Sequence, residues 1–170
     1  MFIFNNFDEI EEGLYLGNCS AAEDITGLKE KGIKKILTVM DQEGPKYIKE
    51  DGFIHKKFDI IDFSSQNIIQ YFGECLHFIK GEEKVLVHCM AGASHSATIV
   101  IAYLMWTKKM TFNDALNLVQ GKRRIVFPNY GFRQQLKMFE KLLKDNDYDI
   151  DKINFKEIKY EPTEDMLRYF

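Results

Sequence analysis

Cys89 ends an apolar run and opens a loop of small residues, in the stretch "HCMAGASHS" over 88–96. His88 stands before it, and His95 and Ser96 close the loop. In α/β proteins the C-terminal end of a buried strand, where the chain turns into a helix, is where ligands bind. Gly92 lets the backbone curl, so that successive N–H groups can point inward and form an anion nest at a helix N-terminus. That positive end also lowers a thiol pKa, which would leave Cys89 partly thiolate at neutral pH. A thiolate beneath an anion-binding cup is a nucleophile aimed at phosphorus. The alternative is a buried packing cysteine, the ordinary fate of an isolated Cys. The glycine and hydroxyl residues crowded around Cys89 weigh against it.

The elements that must hold this loop can be read from the flanking pattern. "KVLVHC" (84–89) has a fully apolar middle, as in a parallel strand covered on both faces. "SHSATIVIAYLMW" (94–106) is apolar on nearly every side and predicts a buried helix. "GLYLGN" (13–18) and "KKILTVM" (34–40) read as strands, and "FIHKKFDI" (53–60) as a weaker one. Ser20 and Glu23 have capping-box spacing, which predicts one helix from Ala21 to Lys31. Within 62–81, Ile68, Ile69, Phe72, Cys75, Leu76 and Ile79 recur at helical spacing behind cap-forming residues. Thr111 with Asp114 caps a helix from Phe112 to Gly121, and 130–144 is amphipathic. Strands alternating with helices predict an α/β fold, a central mostly parallel sheet flanked by helices.

Length and composition bound the rest. The chain has 170 residues, which suits one compact domain; 45% are apolar and 29% charged, enough for a real core. The expected division is a domain over 1–145 and a charged, aromatic tail over 146–170. The tail is read either as packed along its own domain or as a contact for a partner, since it keeps Tyr148, Ile150, Ile153, Phe155, Ile158, Tyr160, Leu167, Tyr169 and Phe170. A net charge of -3 and the absence of a basic stripe with interleaved aromatics argue against nucleic acid as a partner. The longest apolar run, Ala97 to Trp106, is too short to span a membrane, and no membrane partner is expected. Three cysteines without CxxC spacing argue against a disulfide framework and against zinc. A reducing compartment, cytoplasmic or nuclear, is the expected location. Cys19 and Cys75 read as packing residues, either one an alternative resolving partner for an oxidised Cys89.

The segment "VLVHCMAGASHSATIVIAYLM" resembles the signature of the dual-specificity branch of the cysteine-dependent protein tyrosine phosphatases: His-Cys, five residues, Arg, then Ser or Thr. "GLYLGNCSAAED", "LKEKGIKKILTV", "FDIIDFSSQNIIQYF", "MTFNDALNLVQGKR" and "FPNYGFRQQL" resemble the family's other segments in the family's order, over about residues 10 to 144. The resemblance implies Cys89 as the nucleophile that forms a phosphocysteine, and His88 as the residue that braces the loop and keeps the thiol acidic. It implies that main-chain N–H groups of Met90, Ala91, Gly92, Ala93, Ser94 and His95 cradle the phosphoryl oxygens. It implies Ser96 as the hydroxyl that eases thiolate departure and Asp62 as the general acid for the leaving oxygen. Asn129 would buttress the loop, and Arg124 would stand at the pocket rim. Bland alternatives stay open: Asp62 as a helix cap, Asn129 as a turn residue after Pro128, Arg124 as an exposed charge.

His95 breaks the family pattern, because it stands where the signature has arginine. That arginine donates a planar two-pronged grip to the phosphoryl group and stays charged at every relevant pH. Arginines in comparable roles are worth roughly three to five decades of rate. Histidine is shorter, offers one donor toward the anion, and is mostly neutral at pH 7. Arg123, Arg124 and Arg133 lie in segments the family places near the pocket mouth, and none is expected on its floor.

The expected function is therefore phosphoprotein recognition on this scaffold, with phosphomonoester hydrolysis strongly weakened or lost. The competing expectation is a working phosphatase that passes through a Cys89 phosphocysteine. A lipid or RNA phosphatase is disfavoured, because "MAGAS" carries no basic residue. Expected partners are a phosphorylated protein or peptide and a phosphate- or sulfate-type anion in the loop. No metal or organic cofactor is needed for this chemistry.

Overall fold

The computed structural model describes residues 5–47 and 49–162. Five strands form one sheet: β1 (Phe7–Glu11), β2 (Leu14–Gly17), β3 (Ile33–Val39), β4 (Ile54–Phe58) and β5 (Lys84–His88), in the order β1-β2-β5-β3-β4. β5 is central and runs parallel to both β2 and β3, with Leu86 opposite Tyr15 on one side and Ile36 on the other. β3 and β4 are also parallel, and only β1 runs antiparallel to its neighbour. The expected mostly parallel α/β sheet is the fold observed.

The apolar middle of β5 serves both faces, because successive side chains of a strand point to opposite sides. Leu86 joins Tyr15, Leu28, Ile33 and Ile36 beneath two short helices, α1 (Cys19–Glu23) and α2 (Ile25–Glu30). Val85 and Val87 face the larger cluster under α3 (Phe72–Ile79), α4 (His95–Thr107), α5 (Phe112–Lys122) and α6 (Tyr130–Asp145). α4 is buried on almost every side, as its composition predicts.

Three details differ from the sequence expectations. The helix expected over Ala21–Lys31 is two helices. Asn18 caps the first and Asp24 the second, and Ser20 caps neither. Asp24 interrupts because its side chain accepts the Gly27 N–H at 2.9 Å, offering the backbone a turn in place of a continuous helix. Residues 62–68 form a loop, and helical structure begins with a 3-10 turn at Ile69–Tyr71. Finally, β1 was not anticipated: "FDEIE" is acidic and buries only Ile10, a composition that disfavours strands, yet it pairs as a short edge.

Beyond α6 the chain returns along the domain. Ile150, Ile153 and Phe155 enter the main core, Trp106 Nε1 donates to the Tyr148 carbonyl at 3.0 Å, and Asn67 Nδ2 donates to the Ile158 carbonyl at 2.8 Å. This part of the tail packs along its own domain. Leu167, Tyr169 and Phe170 lie outside the described residues. Among the described residues no helix is long and apolar enough to cross a membrane.

Candidate active site

Parallel pairing sets the ends of β2, β5 and β3 side by side, and Cys89 follows the central strand directly. The loop from Cys89 to Ser94 then leads into α4. Its carbonyls are all engaged from outside. Met90 O accepts from Cys19 N at 3.2 Å, and Ala93 O from Phe127 N at 2.8 Å. Ser94 O accepts from Thr98 N and Thr98 Oγ1. Ala91 O and Gly92 O accept from Arg123 Nη2 at 3.2 Å and Nε at 3.0 Å. No peptide here is cis, and a trans peptide sets its N–H opposite its C=O. Carbonyls held outward therefore turn the N–H groups of residues 91–95 inward, toward Cys89. The Gly92 N–H shows this directly by donating to Cys89 Sγ at 3.2 Å. Gly92 itself has φ of +67°, and a Cβ there would lie 2.5 Å from Gly17 O, so only glycine fits.

Cys89 is 2% exposed, and its Sγ also accepts from Ser96 Oγ at 3.1 Å. Burial pushes the thiol up, but hydrogen bonds from His95, Ser96 and the main chain, with the charge of His95, outweigh it and bring the pKa down to about 6. Cys89 is thus held as a thiolate near neutral pH and is more than a packing residue. Cys75 is the contrast: it sits fully buried in the apolar core of α3, and burial drives its pKa well above the usual thiol range. Cys19 is half-buried with its Sγ 3.9 Å from Met40 Sδ, and burial raises its pKa too.

His95 is 6% exposed and lies with its ring centroid 5.8 Å from that of Phe132. Burial opposes its protonation, but the hydrogen bond and charge of Cys89, then the charges of Asp62 and Asp41, raise its pKa overall. Its Nε2 has no partner. The charge of Cys89 thus acts on the ring, and one buried nitrogen is left over.

His88 behaves differently. It is fully buried, with Nε2 2.7 Å from Thr38 Oγ1 and Nδ1 3.4 Å from the Cys89 carbonyl; Thr38 Oγ1 in turn meets His55 Nε2 at 2.8 Å. Burial depresses its pKa to about 4, partly offset by the Cys89 carbonyl and reinforced by His55. His88 is neutral at pH 7. It braces the strand end through backbone and Thr38, while the acidity of the thiol comes from His95, Ser96 and the loop N–H groups.

Asp62 is exposed beside this loop. Its Oδ1 accepts from Ser94 Oγ and from Asn129 Nδ2, each at 2.8 Å. It is not a helix cap. Asn129 holds three things together: its carboxamide meets Asp62, its Oδ1 caps α6 by accepting from Phe132 N at 2.9 Å, and its N–H donates to Ser94 Oγ at 3.1 Å. Gly131 completes this contact, since a Cβ there would fall 1.8 Å from Ser64 O. Gln135, fully buried, clamps the same loop by accepting from Ile69 N and donating to Gln66 O.

The two arginines of the "KRR" stretch, both expected near the pocket mouth, differ in burial. Arg124, expected at the rim, is exposed. Arg123 is 3% exposed and holds the loop from behind, with Nη1 on Asn5 O and Asp8 Oδ2, each at 2.8 Å. Two adjacent arginines look alike in sequence; which one turns inward depends on where α5 ends. Arg133 lies over the Phe127 ring at 4.2 Å and donates to Pro128 O, so it does not reach the cup either.

The chain matches the model of the dual specificity phosphatase catalytic domain over residues 14–142. It is 39% identical over 145 residues to dual specificity protein phosphatase 1B of Arabidopsis thaliana, covering 83% of this chain and 86% of that one. It is 38% identical over 142 residues to human dual specificity protein phosphatase 22, covering 81% and 75%. Among solved structures it is similar to the human tyrosine phosphatase-like serine/threonine/tyrosine-interacting protein, with a TM-score of 0.77 and 36% identity over 81% of this chain and 97% of that one. A mouse putative dual specificity phosphatase complexed with zinc tungstate gives a TM-score of 0.77 and 26% identity, over 84% and 91%. Domain match, relatives matched over most of their length and shared fold agree, and the chain belongs to the dual-specificity phosphatase family.

Proposed function

We propose that this chain recognises phosphorylated proteins through the cup over Cys89, and that its phosphomonoester hydrolysis is strongly weakened by His95. The observation that carries the reading is the contrast within one loop. The main-chain cup is complete, whereas the arginine position holds a buried imidazole whose Nε2 has no partner and whose charge acts on the Cys89 thiol. A phosphate dianion bound there meets five N–H groups and, at best, one imidazolium.

The remaining parts fit the family's two-step reaction. The Cys89 thiolate attacks phosphorus while Asp62 gives its proton to the departing oxygen. Water then attacks the phosphocysteine, Asp62 takes up its proton, and Ser96 Oγ–H donates to the thiolate as the S–P bond breaks. Without the fork of an arginine, the charge that develops on the equatorial oxygens is poorly matched. The relatives support both halves of the reading: one solved structure holds an oxyanion, tungstate, and another is named phosphatase-like and interacting. The Ser96 contact and the lowered thiol favour the second reading, a working phosphatase. Three free cysteines suit a reducing compartment, cytoplasmic or nuclear.

The test is hydrolysis of a small aryl phosphate by the parent, by His95→Arg, and by Cys89→Ser as blank. The parent should stay close to the blank and the arginine variant should rise far above both. A parent well above the blank that gains little from arginine would establish the second reading.

A further inference from the structure

Six large apolar side chains are exposed among the described residues: Ile54, Ile61, Phe63, Met90, Phe127 and Tyr130. Five of them belong to residues that neighbour Cys89, Asp62 or Asn129 in the chain or are hydrogen-bonded to the loop. Met90 follows Cys89, and Ile61 and Phe63 flank Asp62. Tyr130 follows Asn129, whose carboxamide meets Asp62 at 2.8 Å. Phe127 is tied to the loop by its main-chain N–H on Ala93 O. Singly scattered apolar residues on a surface need no explanation, but a cluster around one site does. These side chains contribute little to the core: Phe63 is 59% exposed and Phe127 64%. Phe127 is moreover held as a platform, with the Arg133 guanidinium 4.2 Å above its ring.

We propose that this apolar ring selects phosphorylated peptides in which large apolar side chains flank the phosphorylated residue. The proposal rests on the reading of the cup as a phosphate site. A phosphate seated on the inward N–H groups fixes one side chain of a peptide, and the neighbouring residues must then cross the mouth, where Ile61, Phe63, Met90, Phe127 and Tyr130 stand. Charge favours the same occupant. Asp62 and Asp41 are close enough to the cup to act on His95, and the charge of Arg123 is taken up by Asp8. The Arg133 guanidinium beside Phe127 is stacked on that ring and bonded to Pro128 O, so acidic flanking residues gain less here than apolar ones. A phosphoinositide surface would call for a cluster of Lys and Arg beside the cup. The loop has none, and the chain carries a net charge of -3.

The test measures binding of three probes to the full chain by titration calorimetry: inorganic phosphate, a phosphotyrosine heptapeptide flanked by Leu and Phe, and one flanked by Ser and Asp. The apolar peptide should bind about tenfold tighter than the polar one, as partial burial of two or three side chains implies. The double variant Ile61→Ala/Phe63→Ala, both positions exposed, should lose that preference and keep its affinity for inorganic phosphate. Equal affinities, or a preference that survives the double variant, would overturn the proposal. So would binding to vesicles carrying a monophosphorylated phosphoinositide with no binding to either peptide. Failure to bind inorganic phosphate and both peptides would strike the reading of the cup itself.

Discussion

Arg123 Nε donates to the carbonyl oxygen of Gly92 at 3.0 Å, so this arginine stands behind the Cys89 loop. Its charge orients the loop and balances Asp8; it is not offered to a ligand. The site therefore holds a full set of main-chain donors and lacks a permanent cation inside the cup.

Removing that brace should cost stability as well as binding. Arg123→Met leaves the Ala91 and Gly92 carbonyls without partners and Asp8, whose side chain is 18% exposed, without its counter-charge. Breaking one partner of such a pair costs about 3 kcal/mol. Urea unfolding should show that loss, and phosphate affinity should fall with it. Arg123→Lys should recover part of the stability, since it keeps the charge, but not the two-carbonyl fork.

Restoring the family's residue should restore rate. His95→Arg is expected to raise kcat/KM on an aryl phosphate by roughly three to five decades, the worth of an arginine in comparable phosphoryl transfers. A gain under tenfold would mean that another group already supplies the charge.

The thiol should titrate early. With a pKa of about 6, Cys89 is expected to react with iodoacetamide with a rate that rises through that pH. His95→Ala removes the hydrogen bond and charge that offset burial, so its midpoint should move upward. Residual hydrolysis in the parent needs the thiolate, present above about pH 6, together with protonated His95, present below its raised pKa. It should therefore improve as pH falls toward 6 and decline below it. A profile that is flat or climbs with pH would contradict this.

Stability should fall on acidification through the window set by His88. Its folded pKa is about 4, against 6.5 for the free group, so between those values the unfolded chain binds the proton and the folded chain does not. The contribution is fully present above pH 6.5, declines as pH drops, and is exhausted below about 4. It is on the order of 3 kcal/mol. Chemical denaturation at pH 7 and at 4.5 should show the loss, and His88→Gln should flatten that dependence. His55, whose pKa burial also lowers, adds in the same direction.

Much of the fold was legible because its signals are local. The apolar middle of β5, the all-round apolar α4 and the Thr111 cap each declare themselves within a few residues. β1 was not legible: nothing in "FDEIE" favours a strand, and it exists because β2 offers an open edge. The broken helix at Asp24 depends on which of several side chains reaches a free N–H, and sequence spacing favoured Ser20.

The site divides in the same way. Cys89, Gly92 and Ser96 lie within eight residues, so the sequence by itself determined that a thiol, a tight turn and a hydroxyl sit together, and that histidine occupies the arginine's place. Only the tertiary structure decided where Asp62 ends up, because its contact with Asn129 spans 67 residues. It also decided that Arg123 rather than Arg124 turns inward, and that the His95 ring is buried beside Phe132. The physical reason is that a side chain's type is local, whereas its partners come from segments far along the chain and are settled only when those segments pack.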